Sequence, residues 1–220
     1  MNLAKFIDHT LLKPEAKGAE IEKLCREAVT QGFFSVCVNS SWVKEAASLV
    51  QGKGVAVAAV TGFPLGAMST AAKAFETSQA VADGATEIDT VIHIGRLKQG
   101  DDRYVLEDLK AVVAAAQGRA VKVIFETCLL TDEEKIRACR LSAEAGAAFV
   151  KTSTGFSTGG ATLDDVRLMH RSVDGRCQVK ASGGIRDRAT ALAMIEAGAA
   201  RLGTSSGAAI LAGGTAMGSS

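Results

Sequence analysis

The fold and chemistry of this chain are indicated first by the segment Phe149-Val150-Lys151-Thr152-Ser153-Thr154-Gly155-Phe156. One lysine lies inside a short run typical of a buried strand, and a glycine turn follows it. The later segment Gln178-Val179-Lys180-Ala181-Ser182-Gly183-Gly184-Ile185-Arg186 repeats this arrangement around Lys180. Burial removes water from an ammonium group and lowers its pKa, so a lysine rarely occupies such a position without a reason. Two such lysines, one strand-helix unit apart, indicate chemistry.

Short apolar runs alternate with helix-length segments along the whole chain. Several of these runs are continuously apolar, as expected for parallel strands that are buried on both faces. Eight runs are predicted to be strands: Phe6 to Leu12, Ser35 to Asn39, Val55 to Thr61, Glu87 to Ile94, Ala120 to Thr127, Phe149 to Thr154, Cys177 to Ser182, and Arg201 to Ser205. Helix starts are predicted at Thr131, Thr162 and Asp187, whose side chains can cap a first turn.

This alternation has no linker or charge block to mark a boundary, and it predicts an α/β fold with one closed (β/α)₈ barrel of the TIM type. Residues 1–220 are expected to form a single domain. An open doubly wound sheet is the alternative, but no G-x-G-x-x-G motif follows the first strand. The small, polar tail from Gly213 to Ser220 is expected to be disordered at its end.

Composition narrows the possible partners and the compartment. The formal net charge is +1, which gives no electrostatic reason to expect a nucleic acid or an anionic membrane as partner. No apolar run approaches the roughly 20 residues that span a bilayer. The five cysteines are widely spaced without a C-x-x-C motif, and the three histidines lack metal-ligand spacing. We therefore expect a cytoplasmic protein without a signal peptide, with reduced cysteines and no metal.

Strand alternation predicts which side chains enter the barrel. Val150 and Val179 belong against the helices, so Lys151 and Lys180 should point inward near the ends of adjacent strands. Two ammonium groups brought together in a low-dielectric site oppose each other's protonation, so at least one should be a neutral amine. A neutral lysine can form a Schiff base. A structural ion pair, or a lysine that extends out of the barrel mouth, is the alternative.

The fourth predicted strand offers an acid-base group. Asp89, Val91 and His93 share one face, whereas the other face is wholly apolar and should contact the helices. Asp89 is then an inward carboxylate that could pair with a lysine and transfer protons, or could serve in a structural ion pair. His93 could touch substrate near the barrel mouth, or could be a hydrogen-bonded filler.

Two glycine-rich turns follow the last two predicted strands. They are Ser182 to Arg186 and Gly203 to Gly207, at the place where barrels commonly bind phosphate through loop N–H groups and a helix N-terminus. Arg186 could add positive charge to that site, or could be a surface cation at a helix start.

These motifs together resemble the deoxyribose-phosphate aldolase family. The resemblance also includes Ile7-Asp8-His9-Thr10-Leu11-Leu12 and Val36-Cys37-Val38-Asn39, and it extends in order from Asp8 to Ser206. It implies a cofactor-free class I aldolase on a (β/α)₈ barrel. It also implies reversible cleavage of 2-deoxy-D-ribose 5-phosphate to D-glyceraldehyde 3-phosphate and acetaldehyde, and a homodimer.

The resemblance also implies roles for individual residues. Lys151 would form the Schiff base, Lys180 would lower its pKa, and Asp89 would transfer protons. The remaining matched positions would contact substrate or phosphate: Asp8, Thr10, Cys37, Gly155, Gly183, Gly184, Arg186, Gly203, Ser205 and Ser206.

The chain departs from the family pattern at two places. Family members often have Asp-Met-Val-Ile-Asn where this chain has Asp89-Thr90-Val91-Ile92-His93. Some members end in a tyrosine that assists proton transfer, whereas this chain ends Met217-Gly218-Ser219-Ser220 and has only Tyr104.

Other functions remain open from the residues themselves. A phosphosugar isomerase or epimerase could use the same phosphate turns with carboxylate bases. Lys151 could hold pyridoxal phosphate, or the barrel could bind a phosphate ligand without catalysis.

Overall fold

The computed structural model describes residues 1–213, and the eight predicted strands form a closed parallel barrel in chain order within them. The predicted α/β barrel is therefore confirmed. The prediction about the tail concerns residues that, apart from Gly213, lie outside the described range. Among residues 1–213 we find no helix with the length and apolarity that crossing a membrane requires.

Each strand is hydrogen-bonded to its neighbours in sequence, and the last strand pairs with the first. The strands are β1 (Ile7–Leu11), β2 (Ser35–Asn39), β3 (Ala56–Thr61), β4 (Glu87–Val91), β5 (Ala120–Ile124), β6 (Phe149–Lys151), β7 (Gln178–Ser182) and β8 (Ala199–Thr204).

The helices surround the barrel, and an additional short helix, α4, lies between β4 and the long helix that follows. The helices are α1 (Gly18–Gln31), α2 (Val43–Val50), α3 (Thr70–Ala82), α4 (Ile94–Gln99), α5 (Asp102–Ala115), α6 (Asp132–Glu144), α7 (Leu163–Val173), α8 (Arg188–Glu196) and α9 (Gly207–Ala212).

The predicted helix starts are confirmed by side-chain caps. Thr131 and Glu134 form a reciprocal capping box at the start of α6. The side chains of Thr162 and Asp187 accept hydrogen bonds from backbone N–H groups of the first turns of α7 and α8. Each cap satisfies a donor that the helix itself cannot satisfy, which fixes where the helix begins.

The main hydrophobic core lies between the barrel and the helices. Outward residues such as Val36, Ile88 and Val150 are fully buried there against apolar helix residues. The interior of the barrel, in contrast, contains buried charged side chains, which come from β1 and from β4 to β8. Strand alternation thus separates the apolar layer outside the barrel from an interior that holds these charged side chains beside a smaller apolar group.

Several strands end earlier than predicted at the carboxyl ends of the barrel. The predictions extended β4 to Ile94, β5 to Thr127 and β6 to Thr154, and all three were too long. Irregular backbone hydrogen bonds and side-chain hydrogen bonds continue past these ends; for example, the hydroxyl of Thr152 donates to the carbonyl of Ser182 at 3.0 Å. Alternation along a strand gives no information about where the regular ladder ends.

Hydrogen bonds also link the segments around the barrel mouth to one another. We call these contacts the loop ring. Seven neighbouring pairs are linked: Asn39 to Leu12, Ser40 and Gly62 to Glu76, Lys73 to Val91, Lys98 to Leu129, Thr154 to Glu126, Ala161 to Gly183, and Thr204 to Ile185.

A close backbone approach beside β4 gives a stability prediction. Gly66 has φ 66°, and a Cβ atom there would overlap the carbonyl oxygen of Ile92, whereas Gly54 has φ 69° and nothing within 4 Å of such an atom. Gly54→Ala should lower the free energy of unfolding by about 1 kcal/mol through backbone strain alone. Gly66→Ala should lower it by roughly 2 kcal/mol more, because the backbone must move. Urea titration of both variants measures the difference, and equal losses would contradict the proposed overlap.

Candidate active site

Lys151, Lys180 and Asp89 meet inside the carboxyl end of the barrel. The Nζ atoms of Lys151 and Lys180 lie 2.8 Å and 2.7 Å from the same oxygen of Asp89, Oδ2. The two lysines are directly paired in the register of β6 and β7. The structure therefore brings together the three residues for which the sequence predicted chemical roles.

Four further charged residues extend this group toward the amino end of the barrel. Lys122 lies 2.7 Å from both Asp89 Oδ1 and Glu87 Oε2, and Arg201 lies 2.8 Å from Asp8 Oδ1 and 3.1 Å from Glu87. Asp8 also accepts from Lys180 and, at 2.7 Å, from the hydroxyl of Ser35. We call these seven residues the charge cluster: Asp8, Glu87, Asp89, Lys122, Lys151, Lys180 and Arg201.

The charges of the cluster balance only if one lysine is neutral. The three carboxylates supply three negative charges, whereas the three lysines and one arginine could supply four positive charges. All seven residues are buried. An uncompensated charge at a buried site raises the free energy of the folded state, because the charge loses hydration. The cluster therefore favours a state in which one amine is unprotonated.

Lys151 is the lysine with the weakest compensation. It contacts only Asp89 in the cluster, and that carboxylate is shared with Lys180 and Lys122. Burial lowers the pKa of the Lys151 ammonium, Asp89 opposes this shift, and the charge of Lys180 adds to it. Burial would also lower the pKa of Lys180, but Asp8 and Asp89 outweigh it and raise that pKa. Both shifts favour Lys151 over Lys180 as the amine that loses its proton.

The two aspartates of the cluster remain ionised for the converse reason. Burial would raise the pKa of Asp89, but Lys122, Lys151 and Lys180 together hold it well below its ordinary range. Burial would likewise raise the pKa of Asp8, and Lys180, Lys122 and Arg201 lower it instead. Asp89 is therefore a strong hydrogen-bond acceptor and a weak base.

A cavity of about 400 Å³ opens above Lys151. The glycine-rich turns after β7 and β8 form one wall, and the loops after β1 and β6 complete it. Its lining residues are Thr10, Leu11, Leu12, Lys13, Lys151, Thr154, Gly155, Phe156, Ser182, Gly183, Gly184, Ile185, Arg186, Gly203, Thr204, Ser205 and Ser206.

Most of the predicted substrate residues line this cavity, but Asp8 and Cys37 do not. Asp8 is fully buried below it in the charge cluster. Cys37 is fully buried in a small apolar group inside the barrel with Leu12, Ala58 and Val60. Burial raises the pKa of the Cys37 thiol, so it is held in its neutral form.

The structure places His93 differently from the inward position that alternation predicted. β4 ends at Val91, so His93 lies beyond the strand and caps α4, where its Nδ1 accepts from the N–H of Arg96 at 3.3 Å. Its ring and that of Tyr104 pack nearly perpendicular to each other, with 5.4 Å between the ring centroids. The filler interpretation of His93 fits this position, because its side chain does not line the cavity.

Sequence reasoning missed several residues of the site. Lys122 could have been found, because Val121 and Val123 face the helices and so place Lys122 inside by the same alternation. Glu87 and Arg201 also lie on inward faces, but their pairing depends on closure of the barrel. Lys13 lies beyond β1, so strand alternation could not predict the direction of its side chain.

A comparison with protein families identifies this arrangement. The model of the DeoC/LacD family aldolases matches residues 3–213. The chain belongs to this aldolase family. Two curated relatives, from Alkaliphilus oremlandii and Bdellovibrio bacteriovorus, are 61% and 60% identical to it over 212 and 218 residues. These matches cover 96% of each chain for the first relative and 99% of each for the second, and both relatives are named deoxyribose-phosphate aldolase.

The fold of this aldolase is also that of a solved relative. The deoxyribose phosphate aldolase of Aeropyrum pernix, described as having a unique tetrameric structure, is 35% identical, with a TM-score of 0.89. The superposition covers 96% of this aldolase and 89% of the relative.

The lowered pKa values of the aspartates predict how the stability of this aldolase depends on pH. A carboxyl whose pKa is lower in the folded state than its unfolded value of about 4 stabilises the fold above that pH and loses this effect as pH falls. The free energy of unfolding should therefore decline steeply below about pH 4. Asp89→Asn should decline less steeply over the same interval, because one such group is absent.

The same variant should be less stable than wild type at pH 7. Its cationic neighbours lose the carboxylate they share, which typically costs about 3 to 5 kcal/mol for a buried pair. Urea unfolding at pH 7, 5, 4 and 3 measures both effects. Parallel curves for the two proteins would contradict the assignment of a lowered pKa to Asp89.

Proposed function

We propose that this protein is a class I aldolase that reversibly cleaves 2-deoxy-D-ribose 5-phosphate to D-glyceraldehyde 3-phosphate and acetaldehyde through a Schiff base on Lys151. The observation that carries the proposal is a buried amine with a lowered pKa that faces a cavity beside Asp89 and Lys180. The substrate comes from the names of the curated relatives.

The neutral amine of Lys151 would attack the aldehyde carbon of the open-chain sugar. Loss of water from the adduct gives an iminium, which accepts the electron pair of the C2–C3 bond as that bond breaks. The C3 hydroxyl loses its proton and becomes the aldehyde of glyceraldehyde 3-phosphate. The enamine that remains on Lys151 is protonated at carbon and hydrolysed to acetaldehyde, which restores the amine.

Asp89 and Lys180 would support the proton transfers of this sequence. Asp89 is fully buried below the cavity, so a proton from the C3 hydroxyl would reach it through Lys180 or a bound water. Because its pKa is low, Asp89 would hold that proton only briefly before returning it. We assign Lys180 a second effect, because its charge lowers the pKa of Lys151 in addition to burial.

The far end of the cavity would hold the phosphate group. The turns Ser182 to Arg186 and Gly203 to Ser206 line it, and Gly183 and Gly184 have φ 89° and 80°, in the left-handed region that glycine adopts without strain. Arg186 and Lys13 add positive charge to the same cavity. Such binding would orient the aldehyde carbon toward Lys151.

The lining of the cavity argues against the isomerase or epimerase alternative. Among the described residues, lysine and arginine side chains line it, but no carboxylate does. A carboxylate base would therefore have to act from below the cavity, where the aspartates are already paired with lysines. A non-catalytic phosphate binder gives no reason for a buried amine with a lowered pKa at the cavity floor.

Assembly and location are further parts of the proposal. We propose a homodimer, as the family resemblance implies, although the relative from Aeropyrum pernix is described as a tetramer. Sedimentation equilibrium would distinguish these states. A cytoplasmic location remains an expectation from the sequence.

Reductive trapping tests the central proposal. Borohydride added together with acetaldehyde should attach a stable two-carbon group to Lys151, because the iminium is reduced to an amine. Peptide mass spectrometry locates the group. Lys13, the other lysine that lines the cavity, serves as the internal control and should remain unmodified. Modification elsewhere, or none, would overturn the assignment, and a coupled assay for glyceraldehyde 3-phosphate tests the cleavage itself.

Lys180→Met tests the electrostatic role of Lys180. Loss of the neighbouring positive charge should raise the pKa of Lys151, so the midpoint of the pH dependence of acetaldehyde trapping should move to higher pH. At neutral pH kcat should fall at least about 100-fold, with partial recovery at alkaline pH. The trapping rate between pH 6 and 10 is the measurement. An unchanged midpoint would show that Lys180 does not set the pKa of Lys151.

A further inference from the structure

Glu126 is a buried carboxylate that lies outside the charge cluster. It follows β5 and is 3% exposed. Its carboxylate accepts two hydrogen bonds from Thr154, one from the backbone N–H at 3.2 Å and one from the hydroxyl. A buried carboxylate without a catalytic task requires an explanation, because its charge loses hydration.

The backbone at Glu126 is strained. Its φ and ψ angles are 58° and 64°, in the left-handed region that non-glycine residues seldom occupy. Such outliers persist only where the surrounding structure enforces them, and they concentrate at functional sites.

An extra residue on the β5 side of the ladder produces this conformation. The N–H of Phe125 donates to the carbonyl of Lys151, and the N–H of Thr127 donates to that of Thr152. Two residues on the β5 side thus correspond to one residue on the β6 side, as in a β-bulge. Glu126 is the residue between the two bonds, so its side chain is redirected toward Thr154.

The contact with Thr154 orders one rim of the cavity. The Thr154 hydroxyl oxygen also accepts from the N–H of Phe156 at 3.0 Å, and Gly155 between them has φ 85°. The ring of Phe156 packs edge-on against Phe63 at 5.3 Å between centroids. Residues 154–156 all line the cavity.

We propose that Glu126 is a positioning residue of the aldolase reaction, which holds the rim Thr154–Phe156 where a five-carbon phosphorylated substrate passes it. This inference rests on the proposed function. Thr154 follows Lys151 by three residues, which is about 10 Å of extended chain. We expect a two-carbon aldehyde bound to Lys151 to leave the rim largely uncovered, whereas deoxyribose 5-phosphate, with three more carbons and a phosphate, would extend along the cavity that the rim lines.

This difference in reach makes the proposal testable. Glu126→Ala should lower kcat/KM for cleavage of deoxyribose 5-phosphate by about 10- to 100-fold, the loss typical of hydrogen bonds to a charged group. The rate of borohydride trapping of acetaldehyde on Lys151 should stay within about 2-fold of wild type, because that reaction does not use the rim. Glu126→Gln should show a smaller loss, since its amide can still accept from the N–H of Thr154.

Matched variants separate positioning from general damage. Gln117 is another non-glycine residue with positive φ, 50°, but it is exposed, and Gln117→Ala should leave both rates unchanged. Thr154→Val removes the partner hydroxyl, so the double variant Glu126→Ala with Thr154→Val should lose much less than the product of the two single losses. If Glu126→Ala fails to fold, Glu126→Gln and Thr154→Val carry the same comparison.

The outcomes distinguish this inference from the proposed function. Equal losses of trapping and cleavage would show that Glu126 supports the whole site, and unchanged cleavage would show that it positions nothing; either result overturns the inference. Absence of cleavage by the wild-type protein would instead overturn the proposed function.

Discussion

The structure depends on the electrostatic balance of the charge cluster inside the barrel. Three buried carboxylates face four potential cations, and this count leaves one amine without a matching negative charge. Lys151 has the weakest compensation, because it is bound to a single, shared carboxylate, and it faces the cavity. The lowered pKa of Lys151 therefore depends on its surroundings in the cluster, with burial as the largest cause and the charge of Lys180 as a smaller one.

The barrel fold makes such a cluster possible. Asp8 and Arg201 are separated by almost the whole chain and meet only because β8 pairs with β1. The outward faces of the strands supply the apolar burial that stabilises the fold, so the inward faces are free to hold charged groups. Stability and chemistry thus reside on opposite faces of the same strands, as in other barrels of this type.

Much of this arrangement can be predicted from the sequence. The apolar runs locate the strands, and alternation turns Lys151, Lys180 and Asp89 inward, because the period of two is a local property of each strand. The same reasoning would have placed Lys122. It failed for His93 and did not single out Glu126, and both residues lie beyond the strand ends. Irregular backbone and side-chain hydrogen bonds continue past these ends, such as those of Thr152 and Thr154, and these depend on tertiary contacts.

The loop ring has a consequence for the thermodynamics of substrate binding. Each linked segment at the mouth is held by its neighbour, so the entropy of ordering these segments is lost when the chain folds. The cavity walls are then already ordered when a substrate binds, so the entropy lost on binding is mainly that of the substrate itself. More of the interaction energy is therefore available to orient the substrate at Lys151. The site is in this sense a preorganised template.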